Sequence, residues 1–337
     1  MAPLIHGTTH RTTRRRFLGE TAVTAAWLAL SAGRSSAADQ PSPLAPIIDT
    51  HQHLWDLRRV QLLWLPSAPH LNRSYLPEDY AWAAEGLGIV KTVYMEVDAA
   101  EQSRQAEAEY VLGICRRGDT PMAAAVIGGN PAADQFRSYI LQFKDSPYVK
   151  GVRQIIHQGQ WLADAKFRRG IQLLGERGLC FDLCQGPDLL AEAAGLVDAC
   201  PGTRFVLDHC GNADVKTFLP PGKDESAAGL STRRRQSERW RLDIAALAQR
   251  KNVVCKISGI IASAVKGSWT PDDLAPIVRH CLEIFGPDRV MFAGDWPVCT
   301  AVATLGQWVG ALKQIVADPA QQRKLFYDNA ARFYQLG

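Results

Sequence analysis

The sequence predicts a single-domain (β/α)8 TIM barrel, and three observations lead there. Eight short apolar runs rich in β-branched residues recur at 47–50, 90–97, 122–127, 149–155, 180–183, 204–207, 253–257 and 289–292. Segments of helical periodicity separate them, at 102–116, 133–143, 167–177, 189–199, 239–249 and 274–285. Strand–helix alternation implies a parallel sheet, and eight units over this length suit a closed barrel. An open doubly wound sheet is the competing architecture. It is disfavoured because no glycine-rich phosphate turn follows the first run.

The composition suits one large core: 337 residues, 47% hydrophobic and 21% charged. The net charge of +4 resides in residues 1–38, where Arg11, Arg14, Arg15, Arg16 and Arg34 face Glu20 alone. The remaining 33 basic and 33 acidic residues cancel. That balance argues against nucleic acid or an acidic membrane surface as a partner. Residues 1–38 read as a signal peptide of the twin-arginine type. Thr13-Arg14-Arg15-Arg16-Phe17-Leu18 precedes a moderately apolar stretch from Thr21 to Ala32 and small residues ending at Ala37-Ala38. The stretch is too short for a stable membrane anchor. The expected location is therefore periplasmic or secreted, with a linker at 39–46 and the barrel at 47–337. The eight cysteines fit no zinc-knuckle or disulfide-scaffold spacing and read mostly as small buried hydrophobes. Cys180 and Cys184 share a strand face but sit too far apart to bond.

Taken in order, the runs end in polar groups. The first ends at His51-Gln52-His53, which sends two imidazoles toward one side of an extended segment. The second ends at Glu96 and Asp98, both read as structural, and the fourth holds Arg153, for which Asp182 on the fifth is a structural partner. The sixth ends at Asp208-His209, the seventh carries Lys256 and Ser258, and the eighth ends at Asp295. Buried strand ends do not tolerate such groups for packing reasons alone. In a barrel, His51, His53, His209 and Asp295 converge at one mouth, a constellation suited to activating water against a carbonyl. Long loops at 54–80, with Trp55, Trp64 and Tyr75, and at 211–238 lie on the same face. Within the second, Arg233-Arg234-Arg235 reads as a solvated face, and Cys299 after the last run reads as packing.

Five segments together resemble the amidohydrolase-related (amidohydrolase 2) family, closest to its lactonase branch. They are Ile48-Asp49-Thr50-His51-Gln52-His53-Leu54-Trp55, Gly151-Val152-Arg153-Gln154, Phe205-Val206-Leu207-Asp208-His209-Cys210-Gly211, Cys255-Lys256-Ile257-Ser258-Gly259 and Phe292-Ala293-Gly294-Asp295-Trp296-Pro297-Val298. That branch includes fuconolactonases, pyrone-dicarboxylate lactonase and sulfomuconolactone hydrolases. The resemblance implies Asp295 as general base for water. It implies that His51, His53 and His209 polarise the lactone carbonyl or hold a metal. Arg153 inherits contact with an acidic or hydroxylated substrate, and the aromatic loop with Trp55 and Tyr75 positions it. A single Zn2+ on His51, His53 and Asp295 and a metal-free site both fit this branch. A binuclear site does not, because the fourth and fifth runs offer Arg153, Asp182 and Cys184 instead of the bridging and histidine ligands. Asn212 replaces a usual lysine and Gly294 a usual serine, which bears on substrate identity.

The expected activity is therefore hydrolysis of a sugar-acid or dicarboxylate lactone by Asp-activated water. The expected partner is the small-molecule lactone; the sequence is silent on oligomeric state. Two other readings stand beside it: a metal-dependent decarboxylase of an aromatic or enoic acid, and a catalytically inactive periplasmic sugar-acid binding protein.

Overall fold

The computed structural model describes residues 45–222 and 225–337. The expected export signal at 1–38 and all but the last two residues of the expected linker lie outside the described residues. Eight parallel strands pair in chain order: β1 (Ile47–Gln52), β2 (Ile89–Met95), β3 (Met122–Gly128), β4 (Val149–Ile156), β5 (Cys180–Gln185), β6 (Arg204–Leu207), β7 (Val253–Ile257) and β8 (Val290–Phe292). The sheet then returns on itself beyond β8. Asp295 N–H donates to His51 O and His53 N–H to Trp296 O, both at 2.9 Å, while the Thr50 hydroxyl donates to Phe292 O at 2.7 Å. The architecture is the (β/α)8 barrel that the alternation predicts.

Strand alternation sorts the apolar residues into two layers. Ile48, Val93, Met95, Val126, Val206 and Met291 pack together with Ala330 and Tyr334 of the C-terminal helix Asn329–Tyr334. Their neighbours Ile47, Tyr94, Ile127, Phe181, Phe205 and Phe292 belong to the larger core with the surrounding helices. All eight cysteines are buried and free. Among the described residues no helix is long and apolar enough to cross a membrane.

Two loops differ from expectation. The segment 54–80 holds two short 3-10 turns and the start of a helix, Pro77–Ala83. More substantially, the helix read at 239–249 is the 22-residue helix Ala227–Ala248, so half of the expected loop 211–238 is helical. It opens on Ala227-Ala228-Gly229-Leu230 and runs through polar residues 231–238 with no apolar stripe, which hid this half from a periodicity reading. Ser226 caps its start by accepting from Gly229 N–H at 3.1 Å, and its buried face begins only at Trp240. Arg234 and Arg235 are exposed on it, whereas Arg233 pairs with Glu225.

Gly294 has a steric cause. A Cβ there would collide with the Asp49 carboxylate and reach Leu305 at 2.9 Å. That carboxylate accepts from Gly294 N–H (2.7 Å), His51 N–H (3.0 Å) and the Tyr80 hydroxyl (2.7 Å), tying β1 to the turn after β8.

One buried acid links a helix to the barrel. Glu107, on helix Arg104–Arg117, accepts from the Tyr94 hydroxyl at 2.8 Å and Val97 N–H at 2.9 Å. Burial, reinforced by the charge of Glu96, pushes its pKa from 4.5 to about 8. Between those values the folded chain keeps a proton that the unfolded chain has lost, so stability falls as pH rises through that window. Urea midpoints measured at about pH 5 and about pH 8.5 should show this fall, and Glu107→Gln should flatten it. An unchanged difference between the two pH values in the variant would refute the assignment.

Candidate active site

The polar strand ends meet at the C-terminal mouth of the barrel. His51 and His53 leave β1 toward the same side, with their Nε2 atoms 3.1 Å apart. Asp295 Oδ1 lies 3.3 Å from His53 Nε2 and 3.7 Å from His51 Nε2. His209 follows β6, its Nδ1 3.0 Å from Ser258 Oγ and 4.0 Å from Asp295 Oδ2. Gly259, at φ +68°, leaves room for this ring: a Cβ there would sit 2.5 Å from His209 Cγ and Nδ1. Among the described residues, six non-glycine residues have positive φ, and Asp98, His209, Asn212 and Asp295 among them line one cavity. Backbone strain is concentrated where the chain turns its functional groups inward.

That cavity encloses about 520 Å3, the size of a small-molecule site. His53, His209 and Asp295 form its floor, while Trp55 and Trp64 contribute to its walls. His51 is fully buried beneath them. Two expected binding residues are placed differently. Tyr75 does not line the cavity: its ring packs edge-on against Trp55 (4.8 Å) and Trp296 (5.3 Å), so it supports the tryptophan that does. Arg153 reaches the cavity but is already engaged. Its Nε donates to Glu96 Oε1 and Nη2 to Glu96 O, both at 2.6 Å, and Nη1 lies 3.5 Å from Asp208. Its structural partner is therefore Glu96 and not Asp182, which Lys256 occupies at 2.6 Å. Asp98, Trp64, His70 and His157 join the cavity lining. Asp98 read as structural because a carboxylate two residues after Glu96 has no sequence mark of its own. His70 and His157 stand alone in loops and carried no signal.

Beneath the floor lies a connected set of buried charges. Lys256 Nζ bridges Asp182 (2.6 Å) and Asp208 (3.2 Å), and Asp208 Oδ1 faces His51 Nδ1 at 3.5 Å. Burial works to raise the Asp208 pKa, but the Lys256 ammonium and His51 outweigh it and hold it well below the ordinary value. Burial, joined by the charges of Lys256 and His209, holds the His51 pKa well below 6.5 against the pull of Asp208. His51 is therefore a neutral imidazole. For Asp295, burial is again opposed, here by His209, His53 and His51, and the net result is a pKa of about 2. It is a carboxylate throughout the physiological range.

The ring nitrogens reveal a requirement for positive charge. His53 Nδ1 lies 2.9 Å from Met95 O, a carbonyl that only accepts, so Nδ1 carries hydrogen. His51 Nε2 faces the Arg153 guanidinium at 3.3 Å, which only donates. In neutral rings the two Nε2 lone pairs then face each other across 3.1 Å, beside the Asp295 carboxylate. A proton or a cation between them relieves this. Donor atoms around a four-coordinate zinc lie roughly 3.3 Å apart for bonds of about 2.0–2.1 Å. The observed 3.1, 3.3 and 3.7 Å bracket that spacing, so the residues fit a single zinc. His51, His209 and Asp295 also offer ligand atoms within 4.8 Å of one another.

A sequence profile described as amidohydrolase matches residues 48–336, almost all of the described chain. The chain belongs to the amidohydrolase family. An L-fucono-1,5-lactonase of Burkholderia multivorans is 28% identical over 309 residues, covering 86% of this chain and 96% of that one. An L-rhamnono-gamma-lactonase of Scheffersomyces stipitis is 24% identical over 344 residues, covering 86% and 98%. A solved amidohydrolase from Burkholderia multivorans with bound zinc superposes with a TM-score of 0.71 at 23% identity, covering 86% and 99%.

The charge set makes one stability prediction. Lys256→Met leaves Asp182 and Asp208 without their shared cation, which should cost about 3–5 kcal/mol. Adding Asp182→Asn should recover part of that loss, read from denaturant midpoints. A double variant no more stable than the single one would show that the two residues are not coupled.

Proposed function

We propose that this protein hydrolyses a lactone ring with a water activated by Asp295. The observation that carries the reading is the Asp295 carboxylate set among three imidazoles on the floor of an otherwise largely apolar cavity. Relatives named as lactonases, matched over nearly their full length, support the same reaction class.

Asp295 turns Oδ1 toward His51 and His53 and Oδ2 toward His209, which leaves Oδ2 to receive a proton from water. The water oxygen bonds to the ring carbonyl carbon as that proton moves to Asp295. His209, its Nδ1 3.0 Å from the Ser258 hydroxyl, is placed beside Asp295 to hydrogen-bond the developing oxyanion. The ring C–O bond then breaks, and Asp295 returns its proton to the leaving oxygen to give the open hydroxy acid. A carboxylate held near 2 is a weak base, so the water must be polarised by its surroundings as it reacts. We infer that His51, His53 and Asp295 hold one zinc ion, which would supply Lewis acidity at this point. The export signal read at 1–38 supports a periplasmic or secreted location for this activity.

Asp295→Asn should lower kcat on a lactone panel by at least about 10²-fold, since general acid–base work contributes roughly 10²–10⁴. Near wild-type turnover would remove Asp295 from the mechanism, and release of CO2 in place of ring opening would replace hydrolysis by decarboxylation. Metal analysis of the purified chain should return about one zinc per molecule, with activity lost on chelation and restored by zinc. Full activity in chelator would leave the imidazoles acting through hydrogen bonds alone.

A further inference from the structure

We infer that the substrate is an uncharged lactone bearing an apolar alkyl or aryl substituent, and neither a carboxylated nor a polyhydroxylated one. The inference builds on the lactone-hydrolase reading and concerns the cavity above its catalytic floor.

The first observation is charge. Among the described residues Arg153 is the only lysine or arginine on the cavity lining, and its guanidinium is bound to Glu96 and approached by Asp208. A substrate carboxylate would have to compete with a buried ion pair already at 2.6 Å. Asp98 adds the opposite sign. It lines the cavity, and among the described residues nothing donates a hydrogen bond to its side chain or pairs with it. Its backbone N–H is held by Glu96 Oε2 at 2.7 Å, which fixes the carboxylate's place on the wall. His70 and His157, the cavity histidines away from the floor, are exposed. An anionic substrate therefore meets a fixed like charge and no free arginine or lysine.

The second observation is the direction of the hydrogen-bond donors. Trp55 and Trp64 present their rings to the cavity, but both indole N–H groups are spent on main-chain carbonyls. Trp55 donates to Arg73 O and Trp64 to Val97 O at 2.8 Å. Asn212 likewise gives its amide N–H to Gln185 O at 2.8 Å. Leu71, Val97, Ile155 and Val298 complete the wall with carbon. A polyol would find Asp98, Asn212, His70 and His157 as polar partners, but hydroxyls set against the tryptophan faces and the aliphatic wall would go without hydrogen bonds. An alkyl or aryl arm loses nothing on this surface and gains the tryptophan faces.

The test is a kcat/KM panel on the full purified chain: dihydrocoumarin and δ-nonalactone, L-fucono-1,5-lactone and L-rhamnono-γ-lactone, and 2-pyrone-4,6-dicarboxylate. The first pair should exceed the sugar lactones by about 10–100-fold, the range an apolar pocket achieves against added hydroxyls. The dicarboxylate should be the poorest, and Asp98→Asn should raise its kcat/KM relative to dihydrocoumarin by about tenfold, as expected for one removed like charge. Sugar lactones turned over as well as or better than the apolar ones would overturn this inference and leave lactone hydrolysis standing. An unchanged ratio in Asp98→Asn would remove Asp98 from the discrimination. No turnover of any member would overturn the hydrolytic reading and this inference with it.

Discussion

The site depends on a set of charges held in the barrel interior. Glu96, Asp182 and Asp208 face Arg153 and Lys256 in one connected group, Asp295 joins it only through the histidines, and all six are buried. Taking such groups from water costs several kcal/mol each, recovered only when every member has a close partner. Four carboxylates against two cations leave two negative charges uncancelled. One of the four, Asp295, stands at the His51–His53–Asp295 triangle, where two ring lone pairs also face each other. Protons or one divalent cation satisfy both demands at once. Even before any substrate arrives, the barrel has a binding requirement written into its interior.

The barrel's closure puts that requirement in a fixed place. Asp295 is bonded through its own backbone N–H to His51 O, and His53 through its N–H to Trp296 O. The carboxylate and the two imidazoles are thus set by the same hydrogen bonds that join the last strand to the first. Asp49 reinforces the seam from behind, and its contact with the Gly294 backbone leaves no room for a side chain there. The serine expected at this position from the family pattern is therefore absent for a steric reason, and the change need not concern substrate at all. His209 is placed independently, by a left-handed turn after β6 and by the glycine that follows Ser258. The floor is built from backbone geometry at strand ends, which small movements of the loops leave intact.

This explains which parts of the site the sequence disclosed. His51, His53, His209 and Asp295 each stand at the end of an apolar run, and a strand end is a position that periodicity locates. Their convergence followed from the barrel once eight runs had been counted. Partnership was not legible in the same way. Arg153 had Asp182 directly beside it in strand register, yet Glu96, two strands away, takes the guanidinium and Lys256 takes Asp182. Exchange of partners across a barrel interior depends on side-chain reach, which no local pattern records. Tyr75 belonged to the right loop but to its inner layer: bridged to Trp55, its ring packs edge-on against Trp55 and Trp296 and stands behind the tryptophan that lines the cavity. The long helix over residues 227–248 was half hidden because its outer turns bury no apolar side chain before Trp240.

Chemistry and selectivity are accordingly carried by different parts of the chain. The groups to which the proposal assigns the chemistry sit at or just beyond strand ends. The wall above them comes from loops, and its rings are held by hydrogen bonds that point away from the cavity. Because each indole N–H is anchored to a main-chain carbonyl, Trp55 and Trp64 are rigid surfaces, not adaptable hydrogen-bonding groups. A rigid carbon wall over a charged floor divides any substrate in two: a polar carbonyl end, drawn to Asp295 and the imidazoles, and a remainder that must be content without hydrogen bonds. Orientation then follows from solvation alone. In the proposed reaction the end that reacts is the end that the wall would leave unsatisfied, so seating the apolar part would also turn the carbonyl toward Asp295.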